Sequence, residues 1–301
     1  MKHIKSILVP TDFSSTALNA YGYALQLADA FGASIDLLHA VPLLPNSPEY
    51  AYLVSDLPHP ERGSLEAFLG RGIARFGQHL GRTPLVRTFV KSGGLRATLR
   101  AHVAEHGNQL IIIGTAARYP GWDEILGSNA SSLVSRAPCP VLVVPQNALF
   151  KPIESMCFAT DLHDTGTFLA GRVQRALRPF RPKLCFLHIR TADHESTDYD
   201  MGLLCEMFHR PELGMHASFA SRKAEDMVGA IFDYSVENSC DLVVMQRPDR
   251  PWFRRLLVKS NTGAAVINAR LPLLIIPVID LIATDAVAAD ELEREANAKH
   301  F

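Results

Sequence analysis

A carboxylate, Asp12, follows the first apolar run of the chain, Ile7–Pro10, where a parallel strand would end. An ionised carboxylate accepts hydrogen bonds and donates none, so it suits an exocyclic amine such as that of adenine. The nearby Ser14 and Ser15 leave a second interpretation open, in which Asp12 only caps the start of the following helix. Position alone favours neither interpretation.

A loop bordered by glycines is a second candidate site, this time for an anion. Gly114 follows an apolar run, and Gly127-Ser128 precedes a helical pattern. Glycine lets the backbone approach a ligand closely, and the free amides at a helix N-terminus favour an anion. The amides of Ser128, Asn129 and Ala130 are therefore predicted to form a phosphate cradle. The alternative is an ordinary turn in which Ser128 is only a helix N-cap.

Alternating strand and helix patterns place both candidate sites at the ends of strands. In the first half, short apolar runs predict strands over 4–9, 34–40, 85–90, 110–113 and 141–144. Apolar residues spaced three and four apart predict helices over 16–31, 64–81, 95–106 and 128–136. The runs are apolar throughout, as in strands that helices cover on both faces. The order predicts an open, doubly wound parallel sheet, which binds ligands beyond the carboxyl ends of its strands.

The chain contains this unit twice. Asp12 aligns with Asp161, and His39 aligns with His188, both at an offset of 149 residues. Two independent segments therefore agree on the same duplication, which is the mark of a repeated architecture.

Near the end of each half the offset falls to 132 residues, which aligns Ala137–Pro145 with Ala269–Pro277. The second copy is therefore 17 residues shorter, and the proline-rich segment Pro42–Pro60 is the best candidate for the extra loop or lid in the first. We predict two α/β domains, 1–148 and 149–280, each with a five-stranded parallel sheet, followed by an acidic tail over 281–301.

These motifs make the sequence resemble the universal stress protein family, as a tandem member with both halves matched. Nucleotide-binding members of that family carry G-2x-G-9x-G-(S/T) after the fourth strand. The resemblance implies a Rossmann-like fold of the adenine nucleotide alpha hydrolase type, with the halves arranged as a pseudo-dimer whose last strands meet. It also implies that no residue of the site is an established catalyst.

Carried over residue by residue, the resemblance implies that Asp12 and Val41 hold adenine and that Ile113 and Gly114 lie near the ribose. It places the phosphates on the segment that begins at Gly127. The complete predicted nucleotide site comprises Pro10, Thr11, Asp12, Val41, Ile113, Gly114, Ala117, Gly127, Ser128, Asn129 and Ala130. The implied ligand is ATP or a related adenine nucleotide, with Mg²⁺ left open.

The first half departs from the family pattern at one position, where Ala117 replaces the second glycine. If that position needs a left-handed backbone, a Cβ costs on the order of 1–2 kcal/mol. Such a cost lowers affinity about tenfold without abolishing binding. Asp123 and Glu124 in the same loop would repel a triphosphate, whereas Arg118 could offset them.

The second half keeps the spacing but loses the chemistry. Gln246 and Asp249 stand at the two glycine positions, Lys259-Ser260 replaces Gly-Ser, and Arg190 replaces Val41. We therefore predict that ATP binds in the N-terminal domain only. The segment 247–260 has five basic residues against one acidic and carries two aromatics, which is typical of a solvated loop or, less often, of an anion-binding patch.

Two histidine motifs also qualify as candidates. His102, Glu105 and His106 match H-x-x-E-H, an inverted zinc-protease pattern with both histidines on one helical face. The segment is an amphipathic crossover helix with no further ligand identifiable, so no metal site is predicted. His39 and His188 lie late in apolar strands, which favours histidines bonded to backbone over catalysts.

Composition narrows the class of protein further. The chain has 301 residues, 30 Lys and Arg against 31 Asp and Glu, and 48% hydrophobic residues, which indicates globular domains and no DNA-binding charge. Five cysteines without a C-x-x-C pair indicate reduced thiols. With no export signal and no 20-residue apolar span, we expect a cytoplasmic protein.

We therefore predict a non-catalytic stress-response regulator that binds ATP in its first domain and presents a surface to an unknown protein partner. Two alternatives stay open. One is a scaffold that binds no nucleotide and acts through protein contacts, and the other is a slow ATPase, although no general base is evident. Further homodimerisation of the tandem chain also stays open.

Overall fold

The computed structural model describes residues 4–42, 61–116, 133–134, 137–160, 173, 175–190, 217–246 and 271–277. Ten strands are described: β1 Ser6–Thr11, β2 Ser34–Val41, β3 Val86–Ser92, β4 Leu110–Thr115, β5 Val141–Pro145, β6 Ser155–Ala159, β7 Lys183–Arg190, β8 Ala217–Lys223, β9 Leu242–Gln246 and β10 Leu273–Ile276. Among the described residues, the helices with complete bounds are α1 Ser15–Phe31, α2 Glu61–Phe76, which a 3-10 turn Gly77–His79 extends, α3 Leu95–His106 and α4 Met227–Glu237.

The strands and helices predicted for the first half agree with this order, with shifted ends. The helix predicted over 64–81 starts earlier, at Glu61, and changes to 3-10 geometry after Phe76. Of the helix predicted over 128–136, only Leu133 and Val134 lie within the described residues, and both are helical.

All ten strands form one sheet in the order β3-β2-β1-β4-β5-β10-β9-β6-β7-β8. Within each half the five strands pair in parallel, as predicted. The two five-stranded arrays join where β5 and β10 pair antiparallel. The order of the second array is the reverse of the first, which is the arrangement of a pseudo-dimer with the last strand of each half at its centre.

Helix α1 shows how local sequence sets an element. Ser14 caps its start, since the Ser14 Oγ accepts a hydrogen bond from the Ala17 amide at 3.1 Å. Ala20, Ala24 and the other small residues of one face are buried against the sheet. Gly32 ends the helix with a left-handed φ of 65°, a conformation that glycine adopts without steric cost.

Helices cover the sheet on both faces, and alternate residues of each strand therefore enter different cores. Ile7 and Val9 of β1 belong to one buried cluster, whereas Leu8 belongs to the other. Each cluster contains residues from both halves, so the hydrophobic core is continuous across the β5–β10 junction. In the described part of the chain, the helices lack the length and apolar character needed to cross a bilayer.

Candidate functional site

The crevice of the first half opens between β1 and β4, at the point where the strand order reverses. These two strands pair only at Ile7 with Leu110 and at Leu8 with Ile111. Beyond those pairs β1 continues to Thr11 and stays paired with β2 alone. A reversal of strand order of this kind is where open α/β sheets bind ligands.

Pro10 explains why β1 leaves β4 so early. The Ser6 carbonyl accepts a hydrogen bond from the Gln109 amide at 3.0 Å, on the β4 side. Backbone groups of a strand alternate in direction, so Leu8 and Pro10 face β4 as well. Because proline has no amide hydrogen, it cannot donate to β4 and the ladder ends there.

A tight turn carries Asp12 beyond the end of β1. The Thr11 Oγ1 accepts from the Phe13 amide at 2.9 Å, and the Asp12 Oδ1 accepts from the Ser14 amide at 3.0 Å. Phe13 has a left-handed φ of 65°, which is costly for an aromatic residue and is held by these two bonds. Asp12 is exposed, and its second carboxylate oxygen has no hydrogen-bond partner among the described residues.

The structure separates the two interpretations of Asp12 that the sequence left open. Ser14 is the N-cap of α1, whereas Asp12 stabilises the turn through one oxygen. The other oxygen remains available as an acceptor at the mouth of the crevice. Asp12 is therefore not the cap of α1, and its use for a ligand stays a prediction.

His39 braces the same turn from β2. Its Nδ1 lies 2.8 Å from the Thr11 carbonyl oxygen, which can only accept, so Nδ1 carries the proton. The Phe13 ring packs on the His39 ring with centroids 4.3 Å apart. In the second half, His188 Nδ1 lies 2.9 Å from the Thr160 carbonyl oxygen. The prediction of strand histidines bonded to backbone is confirmed in both copies.

Val41, the residue predicted to face the base, is the last residue of β2. Because β1 and β2 are parallel, Val41 lies at the same end of the sheet as Thr11, the last residue of β1. The Val41 carbonyl oxygen accepts a hydrogen bond from the Gly93 amide at 2.7 Å. Gly93 has a φ of 137°, which glycine alone adopts readily, so this contact needs glycine there. A carbonyl oxygen has two lone pairs, and one of them is therefore already used within the protein.

Position 114 requires a glycine for a packing reason that the sequence did not reveal. A Cβ at Gly114 would lie 2.5 Å from the Thr16 carbonyl oxygen, so no side chain fits against the first turn of α1. Ile113, the preceding residue, is buried within β4. The remaining predicted site residues, Ala117 and Gly127–Ala130, lie outside the described residues, as do the segments 43–60, 247–260 and 281–301.

A buried polar cluster, which the sequence analysis missed, lies between β2 and α3. Asp36 is fully buried, and its Oδ1 accepts from Arg87 Nε at 2.8 Å. Its Oδ2 lies 3.0 Å from His102 Nε2 and 2.9 Å from Asn108 Nδ2. Asn108 Nδ2 also lies 2.7 Å from Ser6 Oγ. We call these five residues the Asp36 cluster.

The cluster keeps Asp36 ionised inside the protein. Burial alone would raise the pKa of this carboxyl, but hydrogen bonds from His102, Asn108 and Arg87, together with the Arg87 charge, hold the pKa below its ordinary value. Asp36 therefore acts as an acceptor only, which fixes the orientation of the groups around it.

The second half replaces this ionic cluster with thiols. By the strand registers and the repeat offsets, Cys185 and Cys240 occupy the positions of Asp36 and Asn108. Ser155 Oγ lies 3.8 Å from Cys185 Sγ and 3.7 Å from Cys240 Sγ. Among the described residues, Cys139, Cys157, Cys185 and Cys240 form no disulfide. Hydrogen bonding from the Cys240 thiol holds the pKa of Cys185 below its ordinary value.

The fold thus defines a duplicated α/β protein with two doubly wound, five-stranded parallel arrays. The family model described as the universal stress protein family matches residues 3–145. The universal stress protein Slr1230 of Synechocystis is 24% identical over 298 residues, covering 90% of this chain and 99% of its own.

Solved structures extend the likeness over both halves. A universal stress protein of Archaeoglobus fulgidus superposes with a TM-score of 0.66 at 12% identity, covering 90% of this chain and 98% of that one. A Pseudomonas aeruginosa structure, named for the same family, has a TM-score of 0.54 at 16% identity, covering 93% and 96%. The first half matches the universal stress protein family model, and the whole chain resembles tandem members of that family, so the predicted resemblance is confirmed.

Proposed function

We propose that this chain is a non-catalytic regulator of the stress response that binds an adenine nucleotide in the crevice of its first half. The observation that carries the proposal is the early separation of β1 and β4, with the free oxygen of the Asp12 carboxylate at the opening. An acceptor there matches the exocyclic amine of adenine and opposes the carbonyl oxygen that guanine carries in its place. The proposal therefore includes a preference for ATP or AMP over GTP.

The proposal restricts nucleotide to the first half because the second half lacks the opening. β6 and β9 pair at four positions, from Met156 with Leu242 to Ala159 with Met245. Ala159 stands where the first half has Pro10, and it supplies the amide that proline lacks. Gln246 stands at the position of Gly114. The two strands therefore stay together as far as the end of β6.

In the proposal, ATP contacts the turn at Thr11 and Asp12, the backbone of Val41 and Gly114, and the amides of Gly127–Ala130. Binding would shift the first half between two conformations that present different surfaces. A protein partner in the cytoplasm would bind one of these two surfaces. The differential affinity of the nucleotide for the two surfaces sets how far the population shifts.

The test begins with freshly purified protein, which is denatured so that any released nucleotide is identified by chromatography. Calorimetric titration with ATP, with and without Mg²⁺, then follows for the wild type, Asp12→Ala and Gly127→Lys. Asp161→Ala, at the equivalent position of the second half, is the matched control. We expect one ATP per chain, at least about tenfold weaker binding for Asp12→Ala because a charged hydrogen bond is lost, and no change for Asp161→Ala.

Two outcomes would replace the proposal. If no nucleotide is released and millimolar ATP gives no heat of binding, the chain is a scaffold that acts through protein contacts. If ADP accumulates and a first-half variant abolishes its production, the chain is a slow ATPase.

A further inference from the structure

Three side chains of α3 form a group of potential metal ligands away from the crevice. His102, Glu105 and His106 each offer one ligand atom, and these atoms all lie within 4.8 Å of one another. The two imidazole rings are one helical turn apart, with centroids separated by 4.2 Å. We propose that this group is a binding site for a divalent transition metal ion such as Zn²⁺, without a catalytic role. Two imidazole nitrogens and a carboxylate oxygen are donors that Zn²⁺ accepts.

His102 is prepared for this role by its contact with the Asp36 cluster. Its Nε2 lies 3.0 Å from Asp36 Oδ2, and the ionised carboxylate can only accept, so the proton is on Nε2. In the neutral imidazole the Nδ1 atom then has a free lone pair. This atom is fully buried and lacks a hydrogen-bond partner within the described part of the chain. A buried acceptor without a partner is costly, and a metal ion would satisfy it.

Glu105 is held in a matching way. Its Oε2 accepts a hydrogen bond from Lys91 Nζ at 2.6 Å, whereas its Oε1 lies 3.6 Å from His106 Nε2. Metal ligands in proteins usually have such outer partners, with a carboxylate behind the histidine and a donor behind the carboxylate. Asp36 and Lys91 provide these two outer partners. Asp36 contacts His102 through Nε2 and Lys91 contacts Glu105 through Oε2, so neither occupies the His102 Nδ1 or the Glu105 Oε1.

The second half of the chain gives an internal comparison. At the offset of 132 residues, Glu237 corresponds to Glu105 and pairs with Arg222, just as Glu105 pairs with Lys91. Tyr234 and Asn238, however, occupy the positions of the two histidines. The carboxylate–cation pair is therefore common to both copies, and the imidazoles are specific to the first. A purely structural role for the pair does not require either histidine.

The sequence pattern H-x-x-E-H alone identified no further ligand and therefore predicted no metal site. The structure adds the orphan Nδ1 of His102, the Glu105 Oε1 that faces His106, and the outer partners, which are separated from α3 by up to 66 residues along the chain. With three protein ligands, one position would be left for water, as in other sites with incomplete protein coordination.

The test is a calorimetric titration of the full-length, metal-free chain without an affinity tag, using Zn²⁺ alone as the probe. We expect one Zn²⁺ per chain. His106→Asn copies the residue of the second half, and its site near the end of α3 is only partly buried, so the variant should fold normally, which circular dichroism checks. We expect its affinity to fall at least about tenfold, because even the loss of an outer partner costs roughly 10–100-fold.

Glu237→Gln is the matched control, since it removes the equivalent carboxylate from the copy without histidines. We expect this control to bind Zn²⁺ as the wild type does, and Zn²⁺ to raise the thermal midpoint of the wild type and the control but not of His106→Asn. If the wild type binds no stoichiometric Zn²⁺, or if His106→Asn binds it with unchanged affinity, the site does not exist. The chain has 12 histidines, and an unchanged affinity would assign the ion to others among them.

Discussion

Leu142 and Leu274 lie directly opposite each other in the antiparallel ladder of β5 and β10. They are also equivalent residues of the sequence repeat, at the offset of 132. A residue that faces its own counterpart marks a pseudo-twofold axis, because such an axis exchanges the two partners of an isologous contact. The pseudo-twofold axis of the tandem protein therefore passes between these two side chains.

The pseudo-axis predicts that the two leucines contribute equally to stability. Both are 3% exposed, and with Ile153 and Leu177 they line a small apolar cavity between the halves. We expect Leu142→Ala and Leu274→Ala each to lower the free energy of unfolding by about 2–5 kcal/mol. Urea denaturation measures both values, and Leu149→Ala, at a side chain 79% exposed, should cost almost nothing.

The same experiment tests whether the halves fold as one unit. Because each buried cluster spans both halves, we expect a single transition that both substitutions shift together. Two separate transitions, with only one of them moved by a given substitution, would show that the halves are energetically independent.

Gly114 is predicted to be intolerant of even a methyl group, with or without nucleotide. A Cβ would meet the Thr16 carbonyl oxygen at 2.5 Å, so Gly114→Ala should lower the free energy of unfolding by about 1–3 kcal/mol. Gly70→Ala is the matched control, since Gly70 lies on α2 with open space around it. There the change should stabilise the protein by about 0.5–1 kcal/mol. Equal effects at the two positions would mean that α1 does not require the glycine.

The sequence could predict the repeat and the order of the elements, because both follow from local apolar patterns that recur at fixed offsets. The meeting of the last strands was implied by the family resemblance, and the pairing of β5 with β10 confirms it. The place where β1 leaves β4 could not be predicted in the same way. Pro10 ends the ladder only because its backbone nitrogen faces β4, and the sequence does not show which neighbour a backbone group faces.

The Asp36 cluster could not be predicted from local sequence patterns, for a different reason. Asp36 is the one carboxylate of β2 and lies between the apolar residues Ile35 and Leu37, and its partners Arg87, His102 and Asn108 are 51, 66 and 72 residues away. Only the fold brings them together. The sequence analysis explained Gly114 by the close approach of a ligand. The structure adds its contact with Thr16, which joins β4 to α1 and which no rule of residue spacing reveals.

The Asp36 cluster predicts a stability contribution that depends on pH. The pKa of Asp36 is lowered in the folded protein, so the carboxylate stabilises the fold above the unfolded pKa of about 3.9 and loses this effect as pH falls further. At neutral pH, Asp36→Asn should lower the free energy of unfolding by about 1–3 kcal/mol, because hydrogen bonds to a charge are lost.

Urea denaturation at several pH values checks the sign of this effect. The difference between the wild type and Asp36→Asn should shrink as pH drops below about 4. Asp233→Asn, on an exposed position of α4, should follow the wild-type profile throughout. A difference that stays constant or grows at acid pH would mean that Asp36 is not ionised in the folded protein.

The thiols of the second half are predicted to differ in reactivity. Hydrogen bonding from the Cys240 thiol holds the pKa of Cys185 below its ordinary value, whereas burial raises the pKa of Cys157 to about 12. At neutral pH, iodoacetamide should therefore alkylate Cys185 much faster than Cys157, since the thiolate is the nucleophile. Mass spectrometry of timed samples measures both rates.

Cys240→Ala provides the check on the cause. Without the Cys240 hydrogen bond, the pKa of Cys185 should rise and its alkylation at neutral pH should slow. If Cys157 reacts as fast as Cys185, or if Cys240→Ala leaves the Cys185 rate unchanged, the thiol pair does not control this reactivity.

Hydrogen exchange followed by mass spectrometry, with and without saturating ATP, is the most direct test of nucleotide binding in the first half alone. We predict slower exchange in peptides covering residues 11–14 and 113–115, beside the opening between β1 and β4. We also predict unchanged exchange in peptides covering 155–160 and 242–246, where β6 and β9 stay paired. Equal slowing in both halves, slowing in the second half alone, or no slowing in either half would show that the opening between β1 and β4 is not the nucleotide site.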